Sequence, residues 1–282
     1  MKLLSPGQSN TKMRKSGGRG ALLFGLSLRP ADGSGHNVCV FSTAGCRETC
    51  VLQFAGRSSS PGVKSARDRK TKWFFSDRAA FLAQLDADLA SAERLAARQG
   101  LTPVVRLNVA SDLAWEVYGV TDRHPNIRFY DYSKWTKGRR KKGNYSLTYS
   151  LNEDTPDGYA GRLLDDGQNV AVVFDTIYNP AHGRVDPLPT VYRLDGRRYR
   201  VIDGDIHDIR LPEFDGSGVI VGLRAKGGRA KAFLGVQEGF IRRVIGGVCD
   251  GVTETDLRKW RNAGKIDAPT PTLTLTVNGK AA

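Results

Sequence analysis

Val104-Val105-Arg106-Leu107-Asn108-Val109-Ala110-Ser111-Asp112 is the stretch that decides the fold. A short apolar run that breaks off into Asn108, Ser111 and Asp112 has the pattern of a strand buried on both faces with a polar C-terminal end. Residues 76–99, just before it, predict a helix. Phe81, Leu82, Leu85, Leu89, Ala92, Leu95 and Ala96 recur at helical spacing, Ser76 is placed to cap the start and Gly100 to end it. A helix with one apolar stripe, followed by such a strand, is the repeating unit of a parallel sheet.

The same pattern repeats on either side. Residues 22–28, 127–132, 145–151, 170–174, 199–202 and 219–223 read as strands. Several run into polar residues: Asp131 with Ser133-Lys134, Asn152-Glu153-Asp154, and Asp175-Thr176. The expected fold is α/β, with a barrel-like or partial-barrel, mostly parallel sheet and flanking helices. Chemistry then gathers at the C-terminal strand ends. Residues 1–20 read as a basic mobile arm, 21–267 as a single α/β domain and 268–282 as a C-terminal tail. Residues 56–72 read as a basic loop and 257–265 as a short helix.

Composition narrows the function. The chain has 282 residues, 40% hydrophobic and 26% charged, the balance of a water-soluble globular protein. No apolar run approaches the ~18 residues of a membrane span, and the start Met1-Lys2-Leu3-Leu4-Ser5-Pro6 lacks the apolar core of a secretory signal. A cytoplasmic protein with reduced thiols and no membrane partner is expected. Forty-three Lys and Arg against 29 Asp and Glu give +14, an excess that favours polyanions. Six cations fall in nine residues at Lys134-Trp135-Thr136-Lys137-Gly138-Arg139-Arg140-Lys141-Lys142. With Trp135, Tyr145 and Tyr149 nearby, cations and stacking rings together suit single-stranded nucleic acid.

Three constellations are candidates for chemistry. Cys39-x6-Cys46-x3-Cys50 offers three thiolates for an iron–sulfur cluster with one open iron. With His36 the same thiolates would complete a tetrahedral zinc site, and three small buried residues remain the bland alternative. Asp203, Asp205 and His207 would share one face of an extended strand and bind a divalent metal, or else pair with Arg197, Arg198 and Arg210. Tyr130 with Lys134 four residues on is the pair a rolling-circle nuclease would use, but no two of His36, His124, His182 and His207 flank a single apolar residue as its metal site requires.

Asn10-Thr11-Lys12-Met13, the Cys39/Cys46/Cys50 segment, Arg106-Leu107-Asn108-Val109-Ala110-Ser111-Asp112 and Phe129-Tyr130-Asp131-Tyr132-Ser133-Lys134 follow one another in an order that resembles the phage family called gene product eighty-eight, over residues 8–230. The resemblance implies a phage or mobile-element protein and brings no activity with it. Members of that family typically have a second, C-terminal group of cysteines, where this chain has Cys249 alone.

A cysteine loop after the first strand, followed by polar strand ends, also resembles a radical S-adenosylmethionine barrel. That likeness implies that Cys39, Cys46 and Cys50 hold a 4Fe–4S cluster. It also implies that Asn108, Ser111 and Asp112 are catalytic or contact S-adenosylmethionine. The expected function is therefore an iron–sulfur, radical-type enzyme acting on or near nucleic acid, with Lys134, Lys137, Arg139, Arg140, Lys141 and Lys142 holding the polyanion. The alternative is a non-catalytic nucleic-acid-binding protein of phage replication with structural zinc or no metal.

Overall fold

The computed structural model describes residues 1–9, 11–17, 19–54, 56–137, 143–179 and 183–264. Its strands are β1 (Leu4–Pro6), β2 (Ala21–Leu26), β3 (Thr102–Arg106), β4 (Arg128–Ser133), β5 (Tyr145–Ser150), β6 (Val170–Asn179), β7 (Arg184–Val185), β8 (Val191–Leu194), β9 (Arg197–Asp203), β10 (Ile220–Ala225) and β11 (Ile241–Arg242). They form one sheet in the order β1-β2-β3-β4-β5-β6-β10-β9-β8, with β7 and β11 also paired to β6. From β2 to β9 along that path every pairing is parallel, while β1 and β8 join the two edges antiparallel.

The parallel sheet and all seven expected strands are present. The barrel is not. β2 to β6 lie side by side in chain order, as at the start of a barrel. After β6 the chain goes first to the far edge and comes back inward through β8, β9 and β10. The outer strand is thus one arm of an antiparallel hairpin, and no pairing among the described residues joins it to β1. The sheet is open.

Successive side chains on a strand point to opposite faces, and here both faces are apolar. Phe24, Val105, Phe129 and Tyr145 pack into one cluster with Phe74, Phe81, Leu85 and Leu89 of the helices Pro61–Ser76 and Arg78–Arg98. Their strand neighbours Leu23, Val104 and Tyr130 turn the other way, under Met13, Val109, Ile209 and Leu211. Phe81, Leu85 and Leu89 are fully buried, and each contributes about 1.5–3 kcal/mol by leaving water. Packing therefore holds the long helix in place.

Some local expectations are corrected. Much of the basic loop expected over 56–72 is helix, with Pro61 in its first turn. Only Arg67, Thr71 and Phe74 of that helix are buried, so no apolar period announced it. Asp77, not Ser76, caps the next helix: its Oδ1 accepts from the Ala80 N–H at 3.0 Å. Residues 1–20, read as a basic arm, begin with a strand docked on β2, and Leu3, Leu4, Met13 and Ser16 are buried. The short C-terminal helix is Glu254–Asn262; the tail 268–282 lies outside the described residues. Among those residues no helix is long and apolar enough to cross a membrane.

Candidate functional site

Because β2 to β6 are parallel, the segments that follow them emerge at one edge. The cysteine segment follows β2, Asn108 to Asp112 follow β3, Lys134 follows β4, and Asn152 and Glu153 follow β5. Asp131, fully buried on β4, organises this edge. It accepts from the Asn108 N–H at 2.7 Å, the Asn108 Nδ2 at 3.2 Å and the Tyr145 hydroxyl at 2.8 Å. The Asn108 Oδ1 in turn accepts from Ser111 Oγ, Leu113 N and Trp115 Nε1 at 2.8–3.0 Å. Asp112 accepts from the Lys134 N–H at 2.7 Å, and its own N–H donates to Val38 O at 2.8 Å. Asn108, Ser111 and Asp112 do come together, but in a turn whose hydrogen bonds tie β3, β4 and the cysteine segment to one another.

The three cysteines meet around Lys134. Its half-buried ammonium donates to Ser150 Oγ at 2.9 Å, and Cys46 is the charge that acts on it most strongly. It also lies within electrostatic reach of Cys39, Cys50 and Asp112. Burial draws the Lys134 pKa down, but Cys46, Asp112 and Cys39 outweigh it, and the net shift is upward. Burial pushes the Cys39 thiol up to about 12, against the Ala31 N–H that its sulfur accepts, and raises Cys50 as well. The Gly45 N–H donates to Glu153 Oε1 at 2.8 Å, and a Cβ on Gly45 would meet Phe240 at 2.7 Å, so only glycine lets the Ala44–Glu48 turn dock this closely.

Thiolates are the right donors for iron–sulfur or zinc. As arranged, however, an ammonium stands within electrostatic reach of the thiols, and among the described residues no group of three or more His, Cys, Asp or Glu is placed to hold a metal ion. The residues as they stand do not fit an iron–sulfur cluster or a zinc ion.

The second constellation is an ion-pair cluster. Asp203 Oδ1 accepts from Arg224 Nη1 at 2.8 Å, and Asp205 accepts from Lys226 Nζ at 2.7 Å and from the Arg224 N–H at 3.0 Å. β9 ends at Asp203, so Asp205 and His207 are not on its face. The acids pair with cations as the bland alternative had it, but with Arg224 and Lys226 in place of Arg197 and Arg198. Burial, helped by Arg210 and Arg19, holds His207 down at about 4, so the imidazole is neutral at pH 7. Tyr130 is no exposed nucleophile either. Its hydroxyl donates to Asp208 at 2.8 Å, and burial raises its pKa well above the ordinary range.

The aromatic residues beside the basic run divide. Tyr145 belongs to the core, edge-on to Phe129. Trp135, Tyr149 and Lys137 instead line a pocket of about 80 Å³ together with Ser133, Thr136, Leu147, Tyr159 and Gln168. Trp135 is fixed by its Nε1–H, which donates to Asp112 O at 3.0 Å, and by Phe41, edge-on at 4.8 Å. Tyr159 closes the pocket by donating to Thr136 O at 3.0 Å, and meets Tyr149 edge-on at 5.1 Å. Arg139, Arg140, Lys141 and Lys142 lie outside the described residues. Tyr159 and Gln168 escaped sequence reading because nothing local ties them to a loop more than twenty residues earlier.

The family model described as Gene product 88 matches residues 2–243. No curated protein and no solved structure matches the chain.

Proposed function

The chain belongs to the Gene product 88 family of phage proteins, and from that premise we propose that it binds single-stranded nucleic acid at the C-terminal edge of its sheet. The observation that carries this reading is the pocket in which Trp135, Tyr149 and Tyr159 stand with Lys137, immediately before a run of four further cations in the sequence. A ring presents a π-face that any base can stack on, and a neighbouring cation neutralises the phosphate of the same nucleotide. The size sets the mode. About 80 Å³ is well short of the roughly 300–1,000 Å³ of a cleft that encloses a whole small ligand, so the pocket takes the edge of a base, and stacking falls to the ring at its rim.

The test is binding of fluorescein-labelled oligo(dT) as a function of salt. With Lys137 and the following cations engaged, log K should fall with log[salt] at a slope of about −0.7 for each phosphate neutralised, near −3 to −4 overall. A chain that binds no oligonucleotide at 50 mM salt would overturn the proposal.

A second reading, an iron–sulfur enzyme acting on or near nucleic acid, starts from Cys39, Cys46 and Cys50 following one strand, and their arrangement around Lys134 counts against it. It requires the ammonium to leave and the thiols to lose their protons. Iron and acid-labile sulfide, measured on protein purified without oxygen, test it: roughly four irons per chain would support it, and iron-free, sulfide-free protein would end it.

A further inference from the structure

The β8–β9 hairpin carries a feature that its hydrogen bonding does not explain. Asp195 (φ 49°) and Gly196 (φ 81°) are both left-handed, the requirement of a two-residue turn that matches strand twist. That turn fixes the register: Val191 opposite Arg200, Tyr192 opposite Tyr199, and Arg193 opposite Arg198. Alternation then sorts the side chains. Tyr192 and Tyr199 turn toward the apolar cluster of Tyr149, Val170 and Phe174. Arg193, Arg198 and Arg200, all exposed, stand together on the other face of the ribbon.

Like charges directly opposite on a sheet repel, and this ribbon places Arg193 against Arg198 with Arg200 beside them. Among the described residues no carboxylate pairs with any of the three; Arg193 donates only to Gly196 O at 3.2 Å. Elsewhere on the same hairpin acids are available and used: Arg197 pairs with Asp165, and Asp195 accepts from the Gly161 N–H at 2.7 Å. The three arginines line an open groove of about 570 Å³ together with Val191 and Tyr199. Three guanidiniums held in register by a tight turn, with no carboxylate partner among the described residues, form a site for an anion with regularly spaced charges.

We propose that this arginine face is a second nucleic-acid contact, which takes the phosphates of the strand whose base the Trp135 pocket engages. The inference rests on the proposed function and deepens it. The two sites are joined by one element: the helix Tyr159–Asp165 begins at the pocket with Tyr159 and holds the ribbon through Gly161 and Asp165, which also accepts from the Tyr199 hydroxyl. From β5, which carries Tyr149, to the edge strand β8 there are four strand spacings of ~4.8 Å, and the arginines face away from that helix, so the bound strand passes round the β8 edge and must be longer than the few nucleotides that fill the pocket.

The experiment compares the full chain with Arg193→Gln/Arg198→Gln/Arg200→Gln, using labelled dT30 and dT6. Three lost phosphate contacts should lower the salt slope for dT30 by about 2, a ~16-fold change in the affinity ratio between 50 and 200 mM salt. Binding of dT6, which fills the pocket alone, should not move. An unchanged dT30 slope would overturn the ribbon and leave the pocket standing, whereas failure of the wild-type chain to bind either oligonucleotide would remove both. Equal affinity of the wild-type chain for poly-glutamate and dT30 would also overturn it, since regularly spaced phosphates would then be irrelevant.

Discussion

Asp208→Ala is expected to lower the unfolding free energy by about 3–5 kcal/mol, read from urea denaturation followed by tryptophan fluorescence. The Asp208 carboxylate has no exposure to solvent. It accepts from Arg106 Nη1 at 3.1 and 3.2 Å and from the Tyr130 hydroxyl at 2.8 Å, while its N–H donates to Ser16 Oγ at 3.0 Å. Truncation leaves the Arg106 guanidinium buried beneath the sheet without its nearest counter-charge, and it is this stranded cation that makes the loss large. The Tyr130 hydroxyl would lose its acceptor at the same time. Asp131 Oδ1 lies 4.0 Å from Arg106 Nε, so a loss below 1 kcal/mol would mean that Asp131 can take over and that Asp208 is not the anchor. A contrast sharpens the point: the exposed pair of Arg197 and Asp165 should yield less than about 1 kcal/mol, because water and salt screen it.

That anchor also shows where sequence reading stopped. Tyr130 and Arg106 both lie in stretches whose strand character was legible, since Val104, Val105, Phe129 and their neighbours are apolar on both faces. Their partner Asp208 is 102 residues from Arg106, in an Asp-rich segment that read as a metal constellation. A one-dimensional pattern records the period of an element but not which acid will reach which cation. The same limit explains Asn108, which stood at a strand end where a ligand contact was expected, yet spends its amide on Asp131, Ser111, Leu113 and Trp115.

Other features were legible in principle. Asp195-Gly196 between alternating residues is a strong hairpin signal, and it would have placed Arg193, Arg198 and Arg200 on one face. The helix Pro61–Ser76 lacked any such signal, because its surface is mostly polar and basic. The open sheet could not be read from strand patterns at all. Closure depends on whether the edge strands meet, and among the described residues the edge strand β8 pairs with β9 and not with β1.

Trp135→Ala is expected to weaken dT6 binding by ~5- to 150-fold, the equivalent of 1–3 kcal/mol for one stacked base. The salt slope should stay where it was, since no charge is removed. That separation is what distinguishes stacking from a general loss of the basic face. Trp135 also has structural work at this edge, through its bond to Asp112 O and its contact with Phe41, so affinity alone would be ambiguous. Trp135→Phe resolves it: the phenyl ring keeps a face for the base and the packing on Phe41, and loses only the bond to Asp112. Phe should therefore recover most of the affinity that Ala loses. If Phe binds as poorly as Ala, the indole N–H and the fold of the edge matter but the ring face does not, and the base-stacking reading of the pocket fails. If neither substitution changes dT6 affinity, the strand does not touch this pocket, and any binding that the salt titration detects must come from charge elsewhere on the surface.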